Sequence, residues 1–319
     1  MKPKIIVTRK LPDRVEEKLK ELFLVSLNKN DLSFDREKLM EAMEHADGIL
    51  CTVSDKITKE IIETSNRRAK IIANFGVGVD NIDLETAKKN EIIVTNTPDV
   101  LTEATVDIAT LLLLSVTRNA FYSEMMIRLG KWKGFSLVNN LGMDLRGKTI
   151  GIIGMGRIGR SFAKRANHAF GMKVLYFNRS PVKDLEFEAN VRFDLDKLLE
   201  ESDVISVHIS SCEDNKKFLS KNRLRKIRKS AFFINTSRGD VVDEEALTTL
   251  LQNREIAGAG LDVFINEPYV TEKLRSLPNV TLLPHIGSAT KETREKMGMM
   301  ALSNLVGFFN KTEIPNRVV

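Results

Sequence analysis

An alternation that runs almost the whole length of the chain limits what it can fold into. Short β-branched stretches, IIVTR (5–9), GILCTV (48–53), KIIANF (70–75) and EIIVTN (91–96), are separated by segments with helical apolar spacing, such as EKLMEAMEHA (37–46) and DLETAKKN (83–90). Pro98 and one long apolar helical pattern interrupt it. It then resumes with KTIGIIG (148–154), KVLYF (173–177), DVISVHI (203–209), AFFINT (231–236), IAGAGLDV (256–263) and VTLLPH (280–285). Strands that alternate with helices form parallel sheets, because each helix carries the chain back to the same end of the sheet. Two such sets predict two doubly wound α/β domains, and 319 residues are enough for two cores. In open sheets of this kind ligands bind beyond the carboxyl ends of the strands, so chemistry is expected in the residues that follow them. A final helix is predicted from about Ala289 to Phe309, with Ser288 as its cap.

The long helical pattern, from about Leu101 to Thr117, is apolar on nearly every face at Leu111–Leu114. A helix of that kind must be buried all round, between domains or between subunits. It is too short to span a membrane, and KPKIIVTRK at the start is too short for the apolar segment of a secretion signal. Two cysteines, Cys51 and Cys212, give no disulfide framework and no CxxC pair, and His45 and His168 have no partners at ligand spacing. A soluble, cytoplasmic protein without a metal site is expected. The net charge of +6 is too modest to argue for a nucleic-acid partner. The densest basic stretch, KNRLRKIRK (221–229), reads as an exposed amphipathic helix, with Leu224 and Ile227 three apart among charges.

Gly154, Gly156 and Gly159 form G-x-G-x-x-G between the strand KTIGII and the helical stretch RIGRSFAKRA, the context in which this pattern binds a dinucleotide. Gly154 permits the tight turn, Gly156 lets the backbone approach a pyrophosphate, and Gly159 lets helix and strand pack closely. Arg157 and Ile158 open the helix whose N-terminus faces the anion. About twenty residues further on, such folds place an Asp or Glu that holds the ribose 2′-hydroxyl. Here the strand ends in Asn178, Arg179 and Ser180, an amide, a guanidinium and a hydroxyl. A guanidinium suits a phosphate, because its planar fork donates two parallel charge-assisted bonds. The expected cofactor is therefore NADP (NADPH) rather than NAD. The alternative is a solvent-facing arginine that binds nothing.

Three chemically capable residues each follow a later strand: Arg238 in INTSRGDVVD, Glu267 in GLDVFINEP and His285 in LLPHIGSAT. Each type alone is common in structural or surface roles. Together they suffice to reduce a 2-keto acid: an arginine to clamp the carboxylate and polarise the ketone, a histidine to donate a proton, and a carboxylate to orient the imidazolium. His208 ends a strand beside the expected cofactor loop. Trp132, the only tryptophan, has two open readings, core packing or closure of a substrate site.

These stretches resemble a known family. GIIGMGRIG, INTSRGDVVDEEAL, GAGLDVFINEP and LLPHIGSAT look like signatures of the D-isomer-specific 2-hydroxyacid dehydrogenases, and NFGVGVDNID (74–83) resembles that family's substrate loop. VLTEATVDIATLLLLSVTR and Trp132 in GKWKG are most similar to the glyoxylate and hydroxypyruvate reductase branch, which commonly uses NADPH. The resemblance implies that His285 is the general acid/base, Glu267 its partner and Arg238 the substrate-binding arginine. It implies that backbone amides near Val77 and Gly78 hold the substrate carboxylate, that Asp262 lies near the nicotinamide carboxamide, and that Thr105 is a helix-start hydroxyl near the cofactor. It further implies a Rossmann nucleotide domain, residues 99–287, inserted into a flavodoxin-like substrate domain of residues 1–98 and 288–319. A homodimer formed through the nucleotide domain would account for Leu111–Leu114. One stretch departs from the family pattern: where a proline-containing loop usually follows the strand matching DVISVHI, this chain has SSCEDNKKF, with Ser210 and Ser211.

The activity implied is NADPH-dependent reduction of a short 2-keto acid, glyoxylate or hydroxypyruvate, to the 2-hydroxy acid. One alternative is a dehydrogenase for another D-2-hydroxy acid such as 3-phosphoglycerate. Against it, the chain ends soon after its last helix, without the extra domain that many phosphoglycerate enzymes carry. The other is a nucleotide-sensing, corepressor-like binding protein on the same fold, which would not need Arg238, Glu267 and His285.

Overall fold

In the computed structural model, which describes residues 2–319, the chain divides between two units, Met1–Leu101 with Ser288–Val319, and Thr102–Gly287. The first carries β1 (Lys4–Val7), α1 (Asp13–Leu22), β2 (Leu24–Ser26), α2 (Arg36–His45), β3 (Gly48–Thr52), α3 (Lys59–Ile62), β4 (Ile71–Phe75), α4 (Leu84–Lys89) and β5 (Ile93–Thr95). Its strands form a parallel sheet in the order β2-β1-β3-β4-β5. Successive side chains enter opposite cores: Ile49 and Cys51 pack with Leu39, Met43 and Ile62, while Leu50 packs with Val15 and Leu19. Helices on both faces are why these strands are apolar throughout rather than alternating with polar residues. Asp35 and Asp83 start α2 and α4, accepting from the Lys38 and Thr86 amides at 2.9 Å each.

The second unit opens with α5 (Thr102–Thr117) and α6 (Ala120–Arg128). It continues through β6 (Thr149–Ile153), α7 (Arg157–Phe170), β7 (Lys173–Phe177), β8 (Ala189–Val191), α8 (Leu195–Glu201), β9 (Val204–Val207), α9 (Lys221–Leu224), β10 (Phe232–Asn235), α10 (Glu244–Gln252), β11 (Gly258–Leu261), α11 (Glu272–Arg275) and β12 (Val280–Leu282). The seven strands are parallel, in the order β12-β11-β10-β9-β6-β7-β8. The winding reverses between β6 and β9, and beyond the carboxyl ends of those two strands lies the crevice where such sheets bind ligands. The chain then returns to the first unit as α12 (Lys291–Phe309), whose Ala301, Leu302 and Leu305 join Val15 and Leu19. The residues after α12 lie along β5: the Val318 amide donates to the Val94 carbonyl at 2.8 Å, and Arg317 pairs antiparallel with Thr95.

Both units are the doubly wound α/β layers that the alternation requires. Several details differ from the sequence reading. Thr290, not Ser288, caps α12, accepting from the Thr293 amide at 3.1 Å; the Ser288 carbonyl is used one turn earlier, by the Thr290 amide. KNRLRKIRK is not an exposed amphipathic helix. Only Lys221–Leu224 is helical, and Leu224 and Ile227 both enter the core while Arg223 lies over the Phe218 ring. Within one chain α5 is not buried all round: Leu112 and Leu113 are, but Leu111 and Leu114 are 46% and 39% exposed. Trp132 is exposed, which removes the core-packing reading. Among the described residues no single helix is long and apolar enough to cross a membrane; α5 and α6 reach that length only together, across a 69° bend. No group of three or more His, Cys, Asp or Glu among the described residues is arranged to hold a metal ion.

Candidate active site

The glycine turn leaves β6 with Gly154 at φ +97°, where a β-carbon would lie 2.8 Å from the His208 carbonyl. At Gly159 a β-carbon would lie 2.1 Å from the Gly154 carbonyl oxygen, so only glycine lets α7 sit this close to the turn. Gly156 is different: no atom lies within 4 Å of its β-carbon position, and α7 begins there with no side-chain cap. No cap side chain accepts from the first turn of this 14-residue helix, where an anion is favoured, and Gly156 and Arg157 are exposed with Ile158 half-buried. Asn178 joins this turn to the end of β7. Its Oδ1 accepts from the Met155 amide at 3.3 Å, and its Nδ2 donates to the Ser180 carbonyl at 3.0 Å. Arg179 and Ser180 stand exposed beside it. An uncapped helix N-terminus with a guanidinium and a hydroxyl at the next strand end fits the phosphates of a dinucleotide.

His208 borders this turn, its β-carbon 3.3 Å from where a β-carbon on Gly159 would lie. It is half-buried, and its ring shares a 2.9 Å hydrogen bond with Ser206 Oγ and packs against Phe162 at 5.5 Å between centroids. Burial pushes its pKa down to about 3, so it is neutral. The loop that follows is tied down without proline: Ser211 Oγ donates to Asp240 Oδ2 at 2.6 Å, and Asn215 Nδ2 donates to the Ser210 carbonyl at 2.8 Å.

The three later strand ends converge within the second unit. Buried Asn235 shapes the turn that carries Arg238. Its Oδ1 accepts from the Ser237 amide and hydroxyl at 2.9 and 2.8 Å, and its Nδ2 donates to the Arg238 carbonyl at 2.8 Å. Glu267 accepts from the Phe264 amide at 2.9 Å through Oε1 and meets His285 Nδ1 at 2.7 Å through Oε2. His285 lies in the left-handed backbone region at φ +54°, a conformation that costs a non-glycine residue about 1–3 kcal/mol. Asp262, 1% exposed, fixes the next residue by accepting from the Ile286 amide at 2.8 Å. A β-carbon on Gly287 would lie 3.4 Å from both Asp262 Oδ2 and Thr105 Oγ1, so these two side chains flank the loop just beyond the histidine.

Burial alone would raise the Glu267 carboxyl. The His285 hydrogen bond and charge, the Phe264 amide and the Arg238 charge outweigh it, and the group lies below its ordinary value. An ionised carboxylate only accepts, so Nδ1 carries the hydrogen and Nε2 is left for proton exchange. Burial raises the Asp262 carboxyl despite the Ile286 amide. Glu244 is raised as well, by burial and then by the charge of Glu267, although its Oε2 accepts from the Ile265 amide at 3.0 Å.

Val77 and Gly78 lie in the first unit, on the loop after β4. The Gly76, Val77 and Gly78 carbonyls accept respectively from the Thr97 amide at 2.9 Å, Asn96 Nδ2 at 2.9 Å and Asn74 Nδ2 at 2.8 Å. No hydrogen bond among the described residues uses the Val77 or Gly78 amide.

Residues 110–287 match the profile of the D-isomer specific 2-hydroxyacid dehydrogenase NAD binding domain. A glyoxylate reductase of Thermococcus litoralis is 43% identical over 324 residues, spanning 100% of this chain and 97% of its own. The chain belongs to the D-isomer specific 2-hydroxyacid dehydrogenases. Solved structures agree. A protein of Thermus thermophilus superposes with a TM-score of 0.92 at 40% identity, covering 99% of this chain and 100% of that one. The NADPH-dependent glyoxylate/hydroxypyruvate reductase of Sinorhizobium meliloti, solved with NADP and malonate, gives 0.89 at 37% identity, covering 100% and 97%. This dehydrogenase is therefore an oxidoreductase with a nicotinamide-dinucleotide domain. The sequence reading singles out the glycine turn, Arg238, Glu267 and His285, and does not single out Asn235, Glu244, Asn74 and Asn96, which shape the surrounding loops. Only Asn235 leaves a local signal, an asparagine at a strand end with a hydroxyl residue two positions on.

Proposed function

We propose that this dehydrogenase reduces a short 2-keto acid, glyoxylate or hydroxypyruvate, to the 2-hydroxy acid with NADPH. The observation that carries the reading is the 2.7 Å His285–Glu267 pair, bearing a proton-exchanging Nε2 in the same unit as the uncapped glycine turn. The names of the relatives, glyoxylate reductase and glyoxylate/hydroxypyruvate reductase, support the substrate class. NADPH, when bound, supplies the hydride to carbon 2. His285 gives its proton to the ketone oxygen as negative charge develops there, and Glu267 holds the ring and stabilises the imidazolium. Arg238 clamps the carboxylate and polarises the ketone, and the Val77 and Gly78 amides bind the carboxylate oxygens. Gly154, Gly156, Arg157, Ile158 and Gly159 hold the pyrophosphate; Asn178, Arg179 and Ser180 receive the 2′-phosphate. Asp262 and Thr105 orient the nicotinamide end. The exposed leucines of α5, together with exposed Phe121, Ile127, Phe135 and Leu137, support a homodimer, and we read the enzyme as cytoplasmic.

His285→Ala tests the reading. Turnover is expected to fall by about 10²–10⁴-fold, the usual contribution of a positioned proton donor, while NADPH fluorescence still reports binding. Near-normal turnover in the purified variant would contradict the assignment.

A further inference from the structure

We propose that Asn96 is the positioning residue for the substrate loop, and that Asn304 of α12 holds it in place. The inference rests on the reading that the Val77 and Gly78 amides bind the substrate carboxylate.

A trans peptide is planar, so its carbonyl and its N–H point in opposite directions. Holding the Gly76 carbonyl therefore aims the Val77 amide the other way, and holding the Val77 carbonyl aims the Gly78 amide. The first is held by the Thr97 backbone amide and the second by the Asn96 side chain, 2.9 Å each. Two adjacent residues at the end of β5 thus set both amide directions. The loop does not open a regular helix, so no helical repeat aligns these amides for it.

Asn96 is itself fixed from the C-terminal segment. Its amide donates to the Asn316 carbonyl at 3.2 Å, and its carbonyl accepts from Asn304 Nδ2 at 3.2 Å. Asn304 Oδ1 accepts from both the backbone and the side chain of Asn316, again at 3.2 Å. Asn304 lies in the middle of a helix and is fully buried, where an unpaired amide is costly. Both ends of its side chain are satisfied, and both connect to the segment that holds the loop. An apolar residue there would pack without linking α12 to β5. The polar one joins α12, the C-terminal residues and the end of β5 into one relay that ends on the Val77 carbonyl.

The test is steady-state kinetics of the full chain with glyoxylate and NADPH. Asn96→Ala, Asn304→Ala and the isosteric Asn96→Asp, which loses the donor without losing volume, should each raise the KM for glyoxylate by about tenfold, the equivalent of one buried hydrogen bond. Turnover and the KM for NADPH should stay within about twofold, since neither hydride transfer nor cofactor binding uses this loop. Asn90→Ala serves as a control of similar kind, because Asn90 Nδ2 bonds the Thr86 carbonyl at 3.0 Å in the same unit. It should leave all three constants unchanged. Gly78→Pro removes one of the amides and should raise the glyoxylate KM by itself. If Gly78→Pro raises that KM and the Asn96 variants do not, the relay is overturned while the loop reading stands. If neither raises it, the loop reading falls and the relay with it. Parallel losses in Asn90→Ala, or equal rises in both KM values, would reduce Asn96 to a structural residue and also overturn the proposal.

Discussion

Two loops follow parallel strands in this chain and both present backbone amides, yet they are built differently. The turn after β6 is built mainly from its own residues, with one outside side-chain tie, the Met155 amide to Asn178 Oδ1. Gly154 and Gly159 make the close approach, and the helix behind them aligns the first-turn amides. The loop after β4 cannot do this and depends on Asn74, Asn96 and Thr97 to hold its carbonyls. The first needs particular residues within about six consecutive positions; the second needs a residue 19 positions away, held by another 208 positions beyond it. A turn built mainly from its own residues therefore fails when one of its own glycines changes, whereas a supported loop also fails when a distant asparagine does.

The sharpest way to break the first loop is Gly159→Ala. Its β-carbon would meet a backbone carbonyl that has no room to move, and overpacking of this kind costs about 1–3 kcal/mol. Loss of NADPH binding by fluorescence, with reduced stability in denaturant, is expected; normal cofactor affinity would show that the close approach is dispensable. A milder change sharpens the account of cofactor choice. Arg179→Ala should weaken NADPH and spare NADH. A charge-assisted bond contributes about 1.5–3 kcal/mol, less where exposed as here, so we expect a change of roughly one to two decades in relative kcat/KM. Adding Asn178→Asp keeps the acceptor for the Met155 amide and places a carboxylate where a phosphate would sit, so NADH should become favoured. A ratio indifferent to both substitutions would mean that this strand end does not choose the cofactor.

The smallest expected effect is on pH dependence. The Glu267 carboxyl lies below its ordinary value, so the pair keeps its negative partner until the pH falls through that lowered value. Glu267→Gln removes the titrating carboxylate, so the acid limb that it sets in the kcat/KM profile should be lost, with turnover reduced less than in His285→Ala. An unchanged profile would separate Glu267 from the proton.

What the sequence disclosed follows the same division between local and distant causes. The central strands were legible because each buries both faces. β2 and β8, three residues each at sheet edges, carry no such pattern. Placing Arg238, Glu267 and His285 after strands was a local inference, but that Glu267 rather than Glu244 or Asp262 meets the histidine depends on side-chain geometry. Asn178 reads as part of the cofactor site, in place of the usual ribose-holding acid, and is also the tie between two turns. Asn304 is one polar residue within the α12 pattern, and nothing near it in the chain points to the end of β5.

The proposed activity is tested most directly by following nicotinamide absorbance with the purified protein and a panel of 2-keto acids, each with NADPH and with NADH. Rapid reduction of glyoxylate or hydroxypyruvate by NADPH is expected, at higher kcat/KM than with NADH and with little turnover of aldehydes that lack a carboxylate. No turnover of any short 2-keto acid with either cofactor, or equal turnover of neutral aldehydes, would contradict it.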